Sequence, residues 1–282
     1  MPASRLSALL ALLTFLSTVP AAAQRGTEMD DSQWLDSCRS GWGGWGGWGG
    51  DDNRGRACEV RVVPVRPARR ALEIDGRENG GIRVFSWDGD SVRVTARIQA
   101  TARDDAAARD LIKDLRVTSD GPRIQADGAH DRGRKESVSV SYVVYVPRRF
   151  DLQLDAHNGS LGVSGVAGKL DLRTTNGSVA LVDVGGDVRA HTMNGSLNVQ
   201  LAGDKWDGRG LDAETQNGSV RLAIPAAYAA HFEAGTVNGR MNTDFPITVQ
   251  GRIGRSLSFP LNGGGAPIRA ITTNGSVTLS RR

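Results

Sequence analysis

The feature that most constrains this chain is a tripeptide that keeps returning. From Asp151 onward an Asn-Gly pair, usually followed by Ser, recurs at Asn158, Asn176, Asn194, Asn217, Asn238 and Asn274. The spacings are 18, 18, 23, 21 and 36 residues. A fixed period near 20 residues is the mark of stacked repeats, in which each unit buries its apolar face only against its neighbours. The last spacing equals two periods of 18, so the repeat predicts one coil there that has lost its marker.

Aligning the units on their Asn shows what each one does. Six positions before it stand Leu152, Leu170, Val188, Leu211, Phe232 and Ile268; four before it, Leu154, Leu172, Ala190, Ala213, Ala234 and Ala270. Three after it stand Leu161, Val179, Leu197, Val220, Met241 and Val277. The apolar period is two on both sides of the pair, so each coil holds two short strands with one face buried. Asn tolerates the left-handed backbone conformation and Gly takes it freely, which predicts a tight turn at the pair. Stacked at one corner, the six Asn side chains are candidates for an amide ladder.

The intervening positions are polar and alternate in sign. Asp155 falls beside Arg173 and Asp171 beside Arg189, as ion pairs between adjacent strands would. The expected fold is an all-β, single-stranded parallel β-solenoid of roughly 18-residue coils, its regular part spanning 151–282. Residues 57–150 alternate less regularly and read as the first coils of the same stack. One helical insertion is predicted at 103–115, with Ala107, Leu111, Ile112 and Leu115 on one face. The closing strand ends in Arg281 and Arg282, read as charged guards of an exposed edge.

The N-terminus reads as a secretory signal over 1–23: Arg5, an apolar run from Leu6 to Val19, and Ala21-Ala22-Ala23 before Gln24. No later stretch approaches the roughly 20 apolar residues of a membrane span. Export places the chain in the periplasm, on the cell surface or in the medium. In such an oxidising compartment Cys38 and Cys58, the two cysteines, are expected to pair. The 24–56 segment they would close contains "GWGGWGGWGG", with Trp42, Trp45 and Trp48 three residues apart. These indoles either cap the first coil, contact sugar rings or a membrane interface, or sit on a bare linker. Trp206, in the "GDKWDGRG" insertion, is a fourth candidate ligand contact.

The sequence carries no familiar catalytic or metal-binding motif. The formal charge is +4, and 31 of the 35 basic residues are Arg dispersed among acids, which gives no stripe for nucleic acid. His130, His157, His191 and His231 lie at no metal-ligand spacing. No cofactor motif is present and no catalytic residue is assigned. Asp151, Asp155, Asp171, Asp183 and Asp187 are the carboxylates a polysaccharide-active enzyme would recruit, but Lys169, Arg173 and Arg189 beside them read as salt-bridge partners.

The segments "GGIRVFSWDGDSVRVTA", "YVVYVPRRFDLQLDAHNGSLGVSGVAGKLDLRTTNGSVAL" and "GGGAPIRAITTNGSVTL" resemble the putative adhesin family of bacterial exported proteins. The resemblance spans roughly Leu72 to Leu279. It implies export, a right-handed parallel β-solenoid and no known catalysis. The function expected is a non-catalytic, adhesin-like binding module whose partner is a cell-envelope protein or a glycan. The alternatives are a structural spacer of the envelope and, further off, an enzyme on polysaccharide. No motif sets an oligomeric state.

Overall fold

The computed structural model describes residues 30–40, 54–65, 70–128, 136–246 and 255–282. The 1–23 signal and Trp42, Trp45 and Trp48 lie outside these residues. Asp30 belongs with the residues before it to a separate unit; the fold described is that of Asp31–Arg282.

The described residues are mostly β, as their alternating pattern requires, arranged in two large mixed sheets where a uniformly parallel stack was expected. Each coil gives one strand to each of two ten-stranded sheets. The first sheet runs Gly55–Val63, Arg93–Ala102, Ser137–Pro147, Ile82–Trp87, Leu161–Ser164, Val179–Val182, Leu197–Gln200, Val220–Ile224, Val277–Arg281, Met241–Thr243. The second runs Ser256–Leu261, Ala230–Asn238, Pro267–Asn274, Gly208–Asn217, Gly185–Asn194, Ala167–Asn176, Asp151–Asn158, Ala71–Asp75, Arg123–Asp127, Arg116–Asp120. Pairing is parallel through the repeats and antiparallel at Gly55–Val63 with Arg93–Ala102, Arg93–Ala102 with Ser137–Pro147, Arg116–Asp120 with Arg123–Asp127, and Ala230–Asn238 with Ser256–Leu261. The sheets are therefore mixed. Two sheets arise because each segment beside the Asn-Gly pair has room for one strand and the corner directs the two strands into different sheets; each antiparallel pair involves a strand that carries no such marker.

Residues 71–87 form a true coil. Ala71–Asp75 pairs in parallel with Asp151–Asp155, and Ile82–Phe85 with Leu161–Ser164. The 63 intervening residues, 88–150, leave this coil and return, carrying the antiparallel strands and a helix.

Among the described residues there are two helices where one was expected. α1 (Asp31–Arg39) was hidden beside the Trp-Gly run; its only sequence signals are Asp31 in its first turn and Arg39 in its last. It is tied down by Asp31 to Arg97 at 2.8 Å and by the Cys38–Cys58 disulfide. α2 (Asp105–Asp114) is the expected one. Asp104 caps it, accepting the Ala107 N–H at 2.8 Å, and this bond holds the Asp104 carboxyl below its usual pKa. Ala108, Leu111 and Ile112 are buried against Gly55–Val63 and Arg93–Ala102. Arg61, from the edge strand, donates to the Ile112 and Leu115 carbonyls at the helix end.

The coils do not stack in chain order. Pro267–Asn274 lies between Leu211–Asn217 and His231–Asn238, and Val277–Arg281 lies between Val220–Ile224 and Met241–Thr243. The C-terminal coil is thus inserted inside the stack. Among its described residues the 36-residue gap holds no further parallel coil; it holds the antiparallel edge strand Ser256–Leu261. Arg281 and Arg282 accordingly guard no edge. Arg281 N–H donates to Asp244, its guanidinium lies 5.4 Å from the Phe245 ring centroid, and Arg282 donates to the Leu201 carbonyl.

Between the sheets lies one continuous apolar core. Leu170, Leu172, Val179, Leu181, Val188 and Leu197 in the central coils are each 0% exposed. Replacing Leu172 with Ala is expected to cost about 2–5 kcal/mol, because coils locked on both sides cannot collapse around the cavity. Urea unfolding of the two chains measures this, and a loss near zero would place the inward column elsewhere.

Candidate functional site: the stacked corner

The Asn-Gly-Ser units meet at one corner and form a continuous column. Each Asn Nδ2 donates to the Asn Oδ1 of the neighbouring coil: Asn158 to Asn79 (3.2 Å), Asn176 to Asn158 (2.8 Å), Asn194 to Asn176 (2.8 Å) and Asn217 to Asn194 (2.9 Å). The ladder then follows the inserted order, Asn274 to Asn217 (2.7 Å) and Asn238 to Asn274 (2.8 Å). The six marker residues are therefore joined by Asn79, from the "ENGG" stretch that resembles the later markers.

Glycine is needed for a different reason from the one its turn chemistry implies. Gly159, Gly177, Gly195, Gly218 and Gly239 do not take positive φ. Instead they are stacked backbone on backbone. A Cβ on Gly177 would lie 2.0 Å from the Gly159 carbonyl oxygen, and one on Gly195 would lie 2.0 Å from that of Gly177. Two further bonds close the corner. Thr174, Thr192 and Thr215 donate their hydroxyls to the carbonyls of Gly159, Gly177 and Gly195, each at 2.8 Å. The backbone N–H of Ser178 donates to Ser160 Oγ, and that of Ser196 to Ser178 Oγ. These Thr residues are buried and hydrogen-bonded, as buried hydroxyls must be.

The outer face of the second sheet carries the charged columns. The register is as the alignment predicts: Arg173 opposite Asp155, Asp171 opposite Arg189. The ion pair that forms is different, because Arg173 reaches Asp171 along its own strand at 2.6 Å. Arg269 bridges to Asp212 at 2.6 Å and Glu214 at 3.1 Å. Burial alone would lower the pKa of that guanidinium; the two hydrogen-bonded carboxylates override it and raise it. The carboxylates an enzyme would recruit are engaged. Asp151 accepts from the Lys169 N–H, Asp183 pairs with Arg148, Asp187 with Arg209, and Asp155 accepts from Gln153. On the outermost strands His231 Nε2 lies 2.9 Å from Ser258 Oγ, a pair the sequence spacing did not reveal.

The insertions do not present aromatic rings. Trp206 is 5% exposed and donates its indole N–H to the Gly186 carbonyl at 3.0 Å, so its ring is turned away from solvent. Tyr228, in the next insertion, is 1% exposed, and burial followed by the nearby Asp204 charge pushes its hydroxyl up. Both insertions turn inward because an aromatic ring gains more by filling the core than by standing in water. Tyr142 is buried in the first sheet and raised for the same first reason, with Asp75 adding to it.

The predicted disulfide is present, joining Cys38 to Cys58 with Cα atoms 6.3 Å apart. Among the described residues no helix is long and apolar enough to cross a membrane, and no three His, Cys, Asp or Glu side chains converge as metal ligands.

By structural comparison the chain is similar to several crystal structures, all distant in sequence. One is a putative cell adhesion protein from Clostridium sporogenes, 10% identical, matched over 80% of this chain and 100% of that one with a TM-score of 0.45. Another is a putative adhesin from Bacteroides fragilis, 11% identical over 80% and 97% of the two chains, with a TM-score of 0.36. A putative lipid binding protein from Parabacteroides distasonis is 9% identical over 80% and 96%, with a TM-score of 0.31. No curated protein matches the chain. The sequence profile of one family matches residues 114–280, from the end of α2 through the last coil and so over more than half of the 282 residues: the chain belongs to the Toastrack DUF4097 family.

Proposed function

We propose that this chain is an exported, non-catalytic binding module of the bacterial envelope or cell surface. It acts in an adhesin-like way through the outer faces of its strands, and its ligand is a glycan or an envelope protein. In this reading the two sheets are the two sides of a β-solenoid. The observation that carries it is the corner. Asn, Gly, Thr and Ser tie every repeat coil to the next, so the outward side chains are held in fixed register over many strands. A rigid face loses little entropy on binding, which is where preorganised affinity comes from. The disulfide and the signal-like N-terminus support export.

The test is capture from envelope fractions and on a glycan array by the chain from Gln24 onward. A variant carrying Lys169→Ala, Arg173→Ala and Arg189→Ala on the second sheet's outer face serves as comparison. Capture by the parent chain and its loss in a variant with an unchanged melting curve is the expected result. Capture of nothing by either favours the envelope-spacer reading. Turnover of any polysaccharide overturns the non-catalytic one.

A further inference from the structure

The inserted C-terminal coil has the construction of an exchangeable part. It carries a complete share of the fold: Ile268, Ala270, Thr272, Val277 and Leu279 are all buried, and Asn274 fills its rung of the ladder. It pairs on both sides in both sheets. It is joined to the residues before it through the edge strand and the turn that follows it. In that turn Asn262, Gly263, Gly264 and Gly265 all take positive φ, and a Cβ on Gly263 would meet nothing within 4 Å. Asn262 anchors the near side of the turn to the Ala226 and Tyr228 carbonyls, which leaves the three glycines as the pivot.

Without this coil the stack has a slot bounded by strand edges of the 208–224 and 230–243 coils. The slot's shape, apolar columns and hydrogen-bonding groups are complementary to residues 267–282. The same residues from another copy make every contact identically. Only the path through the glycines differs. We propose that two copies of this chain exchange their C-terminal coils, each seating residues 267–282 in the other's slot, to form a reciprocally linked dimer. The choice between closed monomer and dimer rests on the pivot and on concentration. A short flexible linker gives the chain's own coil an effective concentration of about 1 mM, so exchange sets in when chains fold at comparable density. Once formed, the dimer persists on dilution, because release requires unpairing a coil from both neighbours in both sheets. This inference does not depend on what the outer faces bind.

The experiment uses the chain from Gln24 with its disulfide intact, in a tagged and an untagged form of different mass. The two are unfolded in urea, mixed and refolded at up to about 1 mM, then diluted for native mass spectrometry. A mixed dimer that survives dilution is expected, and its absence at every concentration overturns the proposal. Cysteine placement then locates the exchange. Arg221 and Thr278, the latter on the inserted strand, are register partners on adjacent strands. Co-refolding an R221C chain with a T278C chain is expected to give a disulfide-linked heterodimer. An N198C chain with T278C should not, since Asn198 lies one strand beyond Arg221. Equal cross-linking in the two mixtures makes the contact a lateral collision and overturns the proposal, as does a failure to cross-link when an R221C/T278C double variant closes within one chain.

Discussion

Deleting residues 267–282 will strip hydrogen-exchange protection from 230–243 and 256–261, although these segments lie upstream of the cut, while 151–182 keeps its protection. If coils stacked in chain order, such a deletion would remove one terminal coil and leave its predecessor paired. Here the last coil lies between the 208–224 coil and the 230–243 coil, whose strands pair with it and not with each other. Removing it withdraws Ile268, Val277 and Leu279 from the core, roughly 5–9 kcal/mol of apolar burial. That is comparable to the whole net stability of about 5–15 kcal/mol of a typical domain. The outer coil then lacks its ladder partner Asn274 and its inner strand neighbours, and keeps only the edge strand Ser256–Leu261. Amide exchange read by mass spectrometry will show loss across the entire outer coil. Retained protection at 230–238 would mean that this strand pairs directly with 208–217 and that the inserted order is wrong.

The inserted order was legible in one charged column of the sequence. Five positions before each Asn stand Gln153, Asp171, Arg189, Asp212, Glu233 and Arg269 in chain order, which sets Asp212 beside Glu233. Like charges opposed on adjacent strands are destabilising. In the fold Arg269 lies between them, opposite Asp212 on one side and Glu233 on the other, and the signs alternate without a break. The repulsion implied by chain-order stacking was therefore the available signal for a swap, and the 36-residue gap was its covalent consequence.

Other features were legible for reasons of period alone. The inward columns, the ladder and the coil at 71–87 follow from a two-residue alternation fixed to a recurrent marker, which leaves little freedom in register. α1 was not legible, because nine residues held by a disulfide and one buried Arg owe little to intrinsic propensity. The inward turn of Trp206 and Tyr228 was not legible either. An isolated aromatic in an insertion carries no periodicity to say which way it faces, and the space it fills is defined by coils distant in sequence.

The corner glycine offers a test in which two physical accounts differ in sign. Gly177→Ala is expected to destabilise the chain by at least about 3 kcal/mol. The new Cβ would lie 2.0 Å from the Gly159 oxygen and 2.5 Å from its carbonyl carbon, both backbone atoms with no rotamer to yield. Relief requires prying the coils apart. That movement breaks three hydrogen bonds, from the Asn176 side-chain amide to Asn158, from the Thr174 hydroxyl to the Gly159 carbonyl and from the Gly159 N–H to the Asn176 carbonyl, at 2.8, 2.8 and 3.1 Å. Backbone conformation pulls the other way. Gly177 is not at positive φ, so an unhindered alanine would stabilise by about 0.4–1 kcal/mol through the unfolded chain. Gly121→Ala is the control: φ is +57° and nothing lies within 4 Å of the added carbon, so only a left-handed penalty of about 1 kcal/mol applies. Urea midpoints of the two variants separate the accounts. A Gly177→Ala chain as stable as its parent would mean that the coils can move apart at the corner. In that case the glycine, for all its regular recurrence, would not be what sets their spacing.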